Sequence, residues 1–295
     1  MPPAIRKPAL FDILRLFFVG SVWGGSFIFI ALALEDFGPV SIAAWRIFLA
    51  AVVLTVLSFV FRQQFPRQTR YWMFIVLIGF LNSAVPFYLI SWGQQFISSA
   101  ESALLMAAGT FCTLIISHFV SPDERINTMR ALGVLVGFSG VVVLVFWDLF
   151  NSGLGGLKGQ IAVIGAGCSY AVSSIVARQL THLPPISVSA GTMLTASLYM
   201  VPLAFFLETP LPAQVSVQSL VSLFYLGVVG TALAFVIRFT IIRANGAVFM
   251  SQVGYLVPLF GVIWSWLYFS DVINIQTWIA LGLILIGIAI TRRGS

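Results

Sequence analysis

Few side chains in this sequence are suited to chemistry, and their scarcity is informative. Within the long apolar runs the ionisable groups are Arg46, in PVSIAAWRIFLA, and, nearer the run ends, Glu101 and His118. A charge in a hydrocarbon layer is costly and survives where it has a partner or a task. Arg46 has two readings. It is a counter-charge for a substrate carboxylate, or a structural arginine that bonds carbonyls or an acidic partner towards the outer interface. Glu101 takes part in proton coupling, or it opens a helix at the end where the dipole favours an acid. His118 titrates near neutral pH or packs as an interface histidine. An intramembrane enzyme, such as a lipid-modifying transferase, would need clustered Asp, Glu or His. The two histidines are far apart and no paired intramembrane carboxylates occur. Zinc, phosphate-loop and dinucleotide motifs are absent, so no enzyme activity, cofactor or metal is expected. Cys112 and Cys168 lie inside apolar runs and read as packing residues.

Uncharged groups near the middle of the runs suit recognition. They are Trp23 and Ser26; Asn82, Ser83, Tyr88 and Trp92 around Pro86; Ser169, Tyr170 and Ser173; Thr231; and Gln252 and Tyr255 before Pro258. Apolar walls with a few placed polar groups make a small-molecule site. The same residue types also pack helices and anchor interfaces. Pro86 and Pro258 are expected to kink their helices and are hinge candidates. Gly20 with Gly24, and Gly133 with Gly137, have GxxxG spacing and are expected to be helix contacts. Nucleotide sugars and sugar phosphates would need several Lys or Arg. A single intramembrane arginine fits a neutral or zwitterionic substrate with an apolar body.

These residues must be positioned by membrane helices. Of 295 residues, 60% are hydrophobic and 8% charged, with mean hydropathy +1.04; a soluble domain carries about 25% charged residues. The runs are too long and too continuous for barrel strands. Ten spans are expected, near 11–34, 39–61, 71–93, 98–120, 128–147, 159–178, 187–207, 217–239, 247–269 and 273–291. The first run, from Leu16 to Leu34, exceeds a signal-peptide core of about 7 to 15 residues and reads as a retained helix. The net charge of +6 lies in short loops, so it speaks of orientation and not of nucleic acid. With the N-terminus cytoplasmic and the spans alternating, Arg6, Lys7, Arg15, Arg62, Arg67, Arg70, Arg125, Arg130, Arg178, Arg238, Arg243, Arg292 and Arg293 fall inside and Lys158 outside. Both termini are then cytoplasmic. The expected partners are a small-molecule substrate and membrane lipid.

The two halves match in order. PVSIAAWR from Pro39 pairs with PISVSAGT from Pro185; Gly79, Ala84 and Phe87 with Gly227, Ala232 and Phe235; Ala103 and Met106 with Ala247 and Met250; and DERINTMRALG with DVINIQTWIALG. Trp23 aligns near Tyr170. Five spans per half is odd, so the halves, 1–148 and 149–295, must enter the membrane from opposite sides. The expected fold is all-α: ten transmembrane helices in two five-helix inverted repeats around a central cavity, an arrangement suited to alternating access.

With these residues in hand, the chain resembles the EamA-type branch of the drug/metabolite transporter superfamily. The resemblance rests on Trp23-Gly24-Gly25-Ser26-Phe27, on Pro39 with Arg46-Ile47-Phe48-Leu49-Ala50, on Glu124 with Gly133, Gly137 and Gly140, and on Pro258 and Asp271 with Gly282 and Gly287. It implies ten helices, two repeats, cytoplasmic termini and export of amino acids or other metabolites across a bacterial inner membrane. The aromatic amino acid exporters of the YddG type are nearest in character, which implies aromatic or large neutral amino acids. The family arginine stands in members with different substrates, which implies a structural Arg46. Thr110-Phe111-Cys112 stand where a proline is common, and Asp271 replaces a Glu.

Overall fold

In lipid every backbone polar group must be satisfied inside its own segment, so apolar runs of this length become helices. The computed structural model describes residues 8–120, 127–151, 154–269 and 274–293. Asp123, Glu124 and Asp271 lie outside the described residues. The helices are α1 (Leu10–Ala33), α2 (Pro39–Val60), α3 (Thr69–Gly93), α4 (Ser99–Val120), α5 (Thr128–Asn151), α6 (Leu154–Ala177), α7 (Pro185–Leu207) and α8 (Val217–Asn245). They continue with α9, in two pieces (Ala247–Met250 and Val253–Phe269), and α10 (Ile275–Arg293). Eight are long and apolar enough to cross a membrane, and the last two are shorter apolar helices. No strand occurs among the described residues. The chain is an all-helical integral membrane protein.

The irregularities repeat as the sequence does. α3 widens into a π-turn at Phe80–Ala84 and α8 into a longer one at Tyr225–Leu233. In α3 a cause is local: Pro86 has no N–H for the carbonyl four residues back, and the backbone widens just before it. α4 breaks at Met106 and Ala107, and α9 breaks at Ser251 and Gln252, just after the matched Met250. Packing follows the same pairing. α2 lies along α7 and α5 along α10, each helix on its own repeat-mate. α1 packs on α9 as α6 packs on α4, and α1 packs on α8 as α6 packs on α3. The central core is the α2–α7 seam, where Ile47, Leu54 and Met193 are fully buried.

Small residues let these helices touch. A Cβ on Gly24 would lie 2.7 Å from the Gly261 nitrogen, and one on Gly109 would lie 2.8 Å from the Gly167 carbonyl oxygen. Gly133 of α5 faces α10, where a Cβ on Gly287 would collide with the backbone of Gly137, and a Cβ on Gly137 itself would meet the Phe111 ring of α4. Both GxxxG pairs are thus helix contacts. The cysteines share the α4–α6 crossing: Cys112 Sγ and Cys168 Sγ are 2.7 Å apart, both as free thiols.

The α2–α7 pair is capped at both ends by matching groups. Glu208, directly after α7, accepts from Val40 N (3.1 Å), Ser41 N (2.8 Å) and Ser41 Oγ (2.7 Å) at the start of α2. At the opposite end Gln63, after α2, accepts from Ile186 N (3.2 Å) and Ser187 N (3.4 Å) at the start of α7. One cap is a carboxylate and its counterpart an amide. Beside Glu208, Ser216 donates to Asp36 Oδ2 from its backbone (2.9 Å) and hydroxyl (2.6 Å), which joins the α1–α2 turn to the start of α8. The Ser216 hydroxyl, and then its N–H, hold the Asp36 carboxyl below the usual Asp value of 3.8. A lowered carboxylate pKa adds stability that is present above the ordinary value and is lost as pH falls through the lowered one. This bond is therefore intact at neutral pH.

Two stability outcomes are expected for purified protein melted in detergent. Gly287→Ala should cost about 1–3 kcal/mol, since α5 and α10 must separate to admit the methyl group. Glu208→Ala should cost about 1–2 kcal/mol through loss of a helix cap, and Glu208→Gln, which keeps one acceptor oxygen, should cost less. An unchanged melting temperature for Gly287→Ala would contradict the close crossing.

Candidate functional site

Arg46 lies about two turns into α2 and is 7% exposed. Its Nε donates to Thr231 Oγ1 at 3.0 Å, and its guanidinium lies 3.9 Å from the centroid of the Phe87 ring. The first contact is to the π-turn of α8 and the second to α3 just beyond its own π-turn. Thr231 accepts from Arg46 while its hydroxyl donates to Leu226 O at 2.8 Å, five residues back, which the wide turn leaves within reach. Neither an acidic partner nor a carbonyl bonds Arg46 among the described residues. Tyr170 and Tyr225 stand within electrostatic reach of the guanidinium. Arg46 is thus held from two sides, by a hydroxyl and by an aromatic face.

The π-turns are stitched to the first helix of the opposite repeat. Trp23 Nε1 of α1 donates to Gly230 O in the α8 turn at 3.0 Å. Ser169 Oγ of α6 donates to Leu81 O in the α3 turn at 2.7 Å. A wide turn loosens the ladder of backbone bonds, and a donor from the neighbouring helix satisfies the carbonyl it frees. Ser169 thus plays the part of Trp23, directly beside Tyr170. Around Trp23 the seam tightens: Ser26 Oγ (3.0 Å) and Tyr225 OH (3.1 Å) both donate to Val22 O, and the Tyr225 ring stacks on Phe29 at 3.7 Å.

The sequence-derived candidates fall into three groups. Trp23, Ser26, Arg46, Tyr170 and Thr231 converge about the α8 turn. Asn82 and Ser83 sit on the α3 turn; Asn82 is half-buried, and Ser83 Oγ is buried without a partner. Tyr88 packs with Tyr170 against the α2–α7 core. Ser173 is buried on α6, one turn from Ser169, and Pro86 is buried where α3 resumes. The rest stand apart. Trp92 meets Phe96 edge-on at 4.9 Å near the end of α3. Gln252 is exposed in the α9 break, and Tyr255 turns to a core formed with α4, α5 and α10. Pro258 is buried inside α9. Glu101 accepts from Gln160 Nε2 at 2.6 Å, and its N–H is capped by Ser98 at 3.2 Å. It thus ties the α4 start to α6. His118 packs edge-on against Phe119 at 5.0 Å.

Three residues of the site escaped the sequence reading. Phe87 and Tyr225 are not among the recognition candidates of the sequence, although Phe87 belongs to the repeat match with Phe235. Arg238 was assigned to the cytoplasmic end. It lies inside α8 about two helical turns from Thr231, hence on the same face, and Tyr170 is within electrostatic reach of it as well as of Arg46. The Thr231-to-Arg238 spacing was the available signal. Tyr225 also lines a recess of about 410 Å³ between α1, α8 and α9, with Ser21, Phe29, Trp264 and Tyr268.

The architecture has counterparts in known proteins. The uncharacterized transporter YoaV of Bacillus subtilis is 23% identical over 275 residues, 93% of each chain. The uncharacterized inner membrane transporter YedA of Escherichia coli strain K12 is 24% identical over 287 residues, 95% of this chain and 90% of its own. A solved crystal structure at 18% identity superposes with a TM-score of 0.70, covering 97% of this chain and 99% of that one, and so shares the fold. The EamA-like transporter family matches twice, over residues 10–146 and 157–293, once per half. The chain, with its two halves and a π-turn in each, belongs to the EamA-like transporter family.

Proposed function

We propose that this membrane transporter exports small amphipathic metabolites, in the first place aromatic or large neutral amino acids. Export proceeds by alternating access through a central path between the repeats. The observation that carries this reading is one buried cation held between the α8 π-turn and the stretch of α3 just after its own π-turn. Arg46 bridges α2 to Thr231 on the α8 turn and lies on Phe87 beside the α3 turn, with aromatic walls from Trp23, Tyr170 and Tyr225. π-turns are weak points of a helix and gather at functional sites. Here each half contributes one, so a tilt of either half would act on the same central group. Apolar walls around few polar groups suit a substrate with an apolar body. YedA is named as an inner membrane transporter, and we assign this chain to the bacterial inner membrane with both termini cytoplasmic.

Purified protein in liposomes preloaded with L-phenylalanine or L-leucine should exchange external labelled amino acid above empty vesicles. Phosphorylated sugars should not support exchange. Exchange of phosphorylated sugars with no response to any amino acid would sink the substrate assignment. A fluorescent reporter fused after residue 295 should mature in the cytoplasm. A reporter active only on the far side would reverse the orientation.

A further inference from the structure

Arg46 is a cation buried among membrane helices, and its partners leave part of it unused. Nε is taken by Thr231 and one face of the guanidinium by Phe87. The two terminal nitrogens carry no hydrogen bond among the described residues, and no carboxylate there lies within ion-pair distance. They are also not among the fully enclosed unpartnered atoms, such as Ser83 Oγ, and Arg46 keeps 7% of its surface accessible. A fork of this kind, fixed by a bond at Nε and a ring beneath it, is preorganised for an acceptor with two oxygens in a plane. An arginine kept only for packing would have its donors satisfied by carbonyls or by an acid. Arg238 lies about two turns along the same face of α8 and forms no ion pair among the described residues, and Tyr170 stands within electrostatic reach of both cations. The only other cation–π contact in that region is Arg238 over its neighbour Phe239, at 6.0 Å.

We propose that the terminal nitrogens of Arg46 are the seat for the substrate's carboxylate, with Arg238 a second cation about two turns along α8 from Thr231. This rests on the transport reading above and adds what the site recognises: a carboxylate on an apolar body, with or without an ammonium group. Arg46 is a binding residue in this scheme, and Thr231 positions it.

The test compares three compounds that share a phenyl ring: L-phenylalanine, hydrocinnamate, which lacks the ammonium group, and phenethylamine, which lacks the carboxylate. In wild-type proteoliposomes hydrocinnamate should compete with labelled L-phenylalanine exchange, and phenethylamine should compete roughly tenfold to hundredfold more weakly, the cost of losing a charged hydrogen-bond partner. Arg46→Gln should erase that preference. Arg46→Lys should retain part of it, and Thr231→Val should weaken it at unchanged charge. Arg238→Gln should raise KM and leave the preference in place. Phenethylamine competing as well as hydrocinnamate in the wild type would overturn the seat while leaving the transport reading intact. The same experiment needs no variant to fold. If the wild type exchanges no amino acid, the transport reading fails separately. Thermal protection of the purified protein by hydrocinnamate but not by phenethylamine, abolished in Arg46→Gln, would then still sustain the seat, and its absence would overturn it.

Discussion

A carbonyl released inside lipid must find a donor, and this constraint organises the molecule. Each π-turn releases such carbonyls near the middle of a span. Trp23 answers Gly230 and Ser169 answers Leu81, each from the first helix of the other repeat. The halves are consequently bound to one another at their least regular points. Thr231 uses the same circumstance twice, giving its proton to Leu226 and its lone pair to Arg46. The buried cation is therefore held by the irregularity of α8. A regular α-helix there would move the Leu226 carbonyl out of the threonine's reach.

The close crossings serve the same end. Gly24 on Gly261 and Gly109 on Gly167 bring α1 to α9 and α6 to α4 at backbone contact. In lipid there is little hydrophobic force to join helices, so close van der Waals approach and a few hydrogen bonds must do so. The α2–α7 seam adds a third element, a long apolar contact fastened at its two ends by Glu208 and Gln63. The seam is continuous and capped, whereas the spans around it are interrupted. The stiff part of the fold thus carries Arg46 and the yielding parts surround it.

Much of this was legible in the sequence, for reasons that can be named. Hydropathy gave the spans, because length and apolar content decide what crosses a bilayer. The odd number of spans per half and the ordered matches at Pro39, Gly79 and Ala103 gave the two repeats. The polar residues near Trp23 and Thr231 were legible as a group, since polar atoms at membrane depth need a purpose. The π-turns were hidden: in α8 no proline marks the turn, and a wide turn differs from a regular one by a single hydrogen-bond register. Arg238 was hidden by its nearness to a span end, where arginines usually report orientation. Gln252 and Tyr255 lie at the break in α9, with Gln252 exposed and Tyr255 packed towards α4, α5 and α10, and a break of that kind leaves no clear mark in the sequence.

Cys112 and Cys168 come one from each repeat and meet beside the Gly109–Gly167 crossing, where the two backbones already touch. Both thiols keep some accessible surface, so an oxidant that joined them would tie α4 of one repeat to α6 of the other without any foreign residue in the chain.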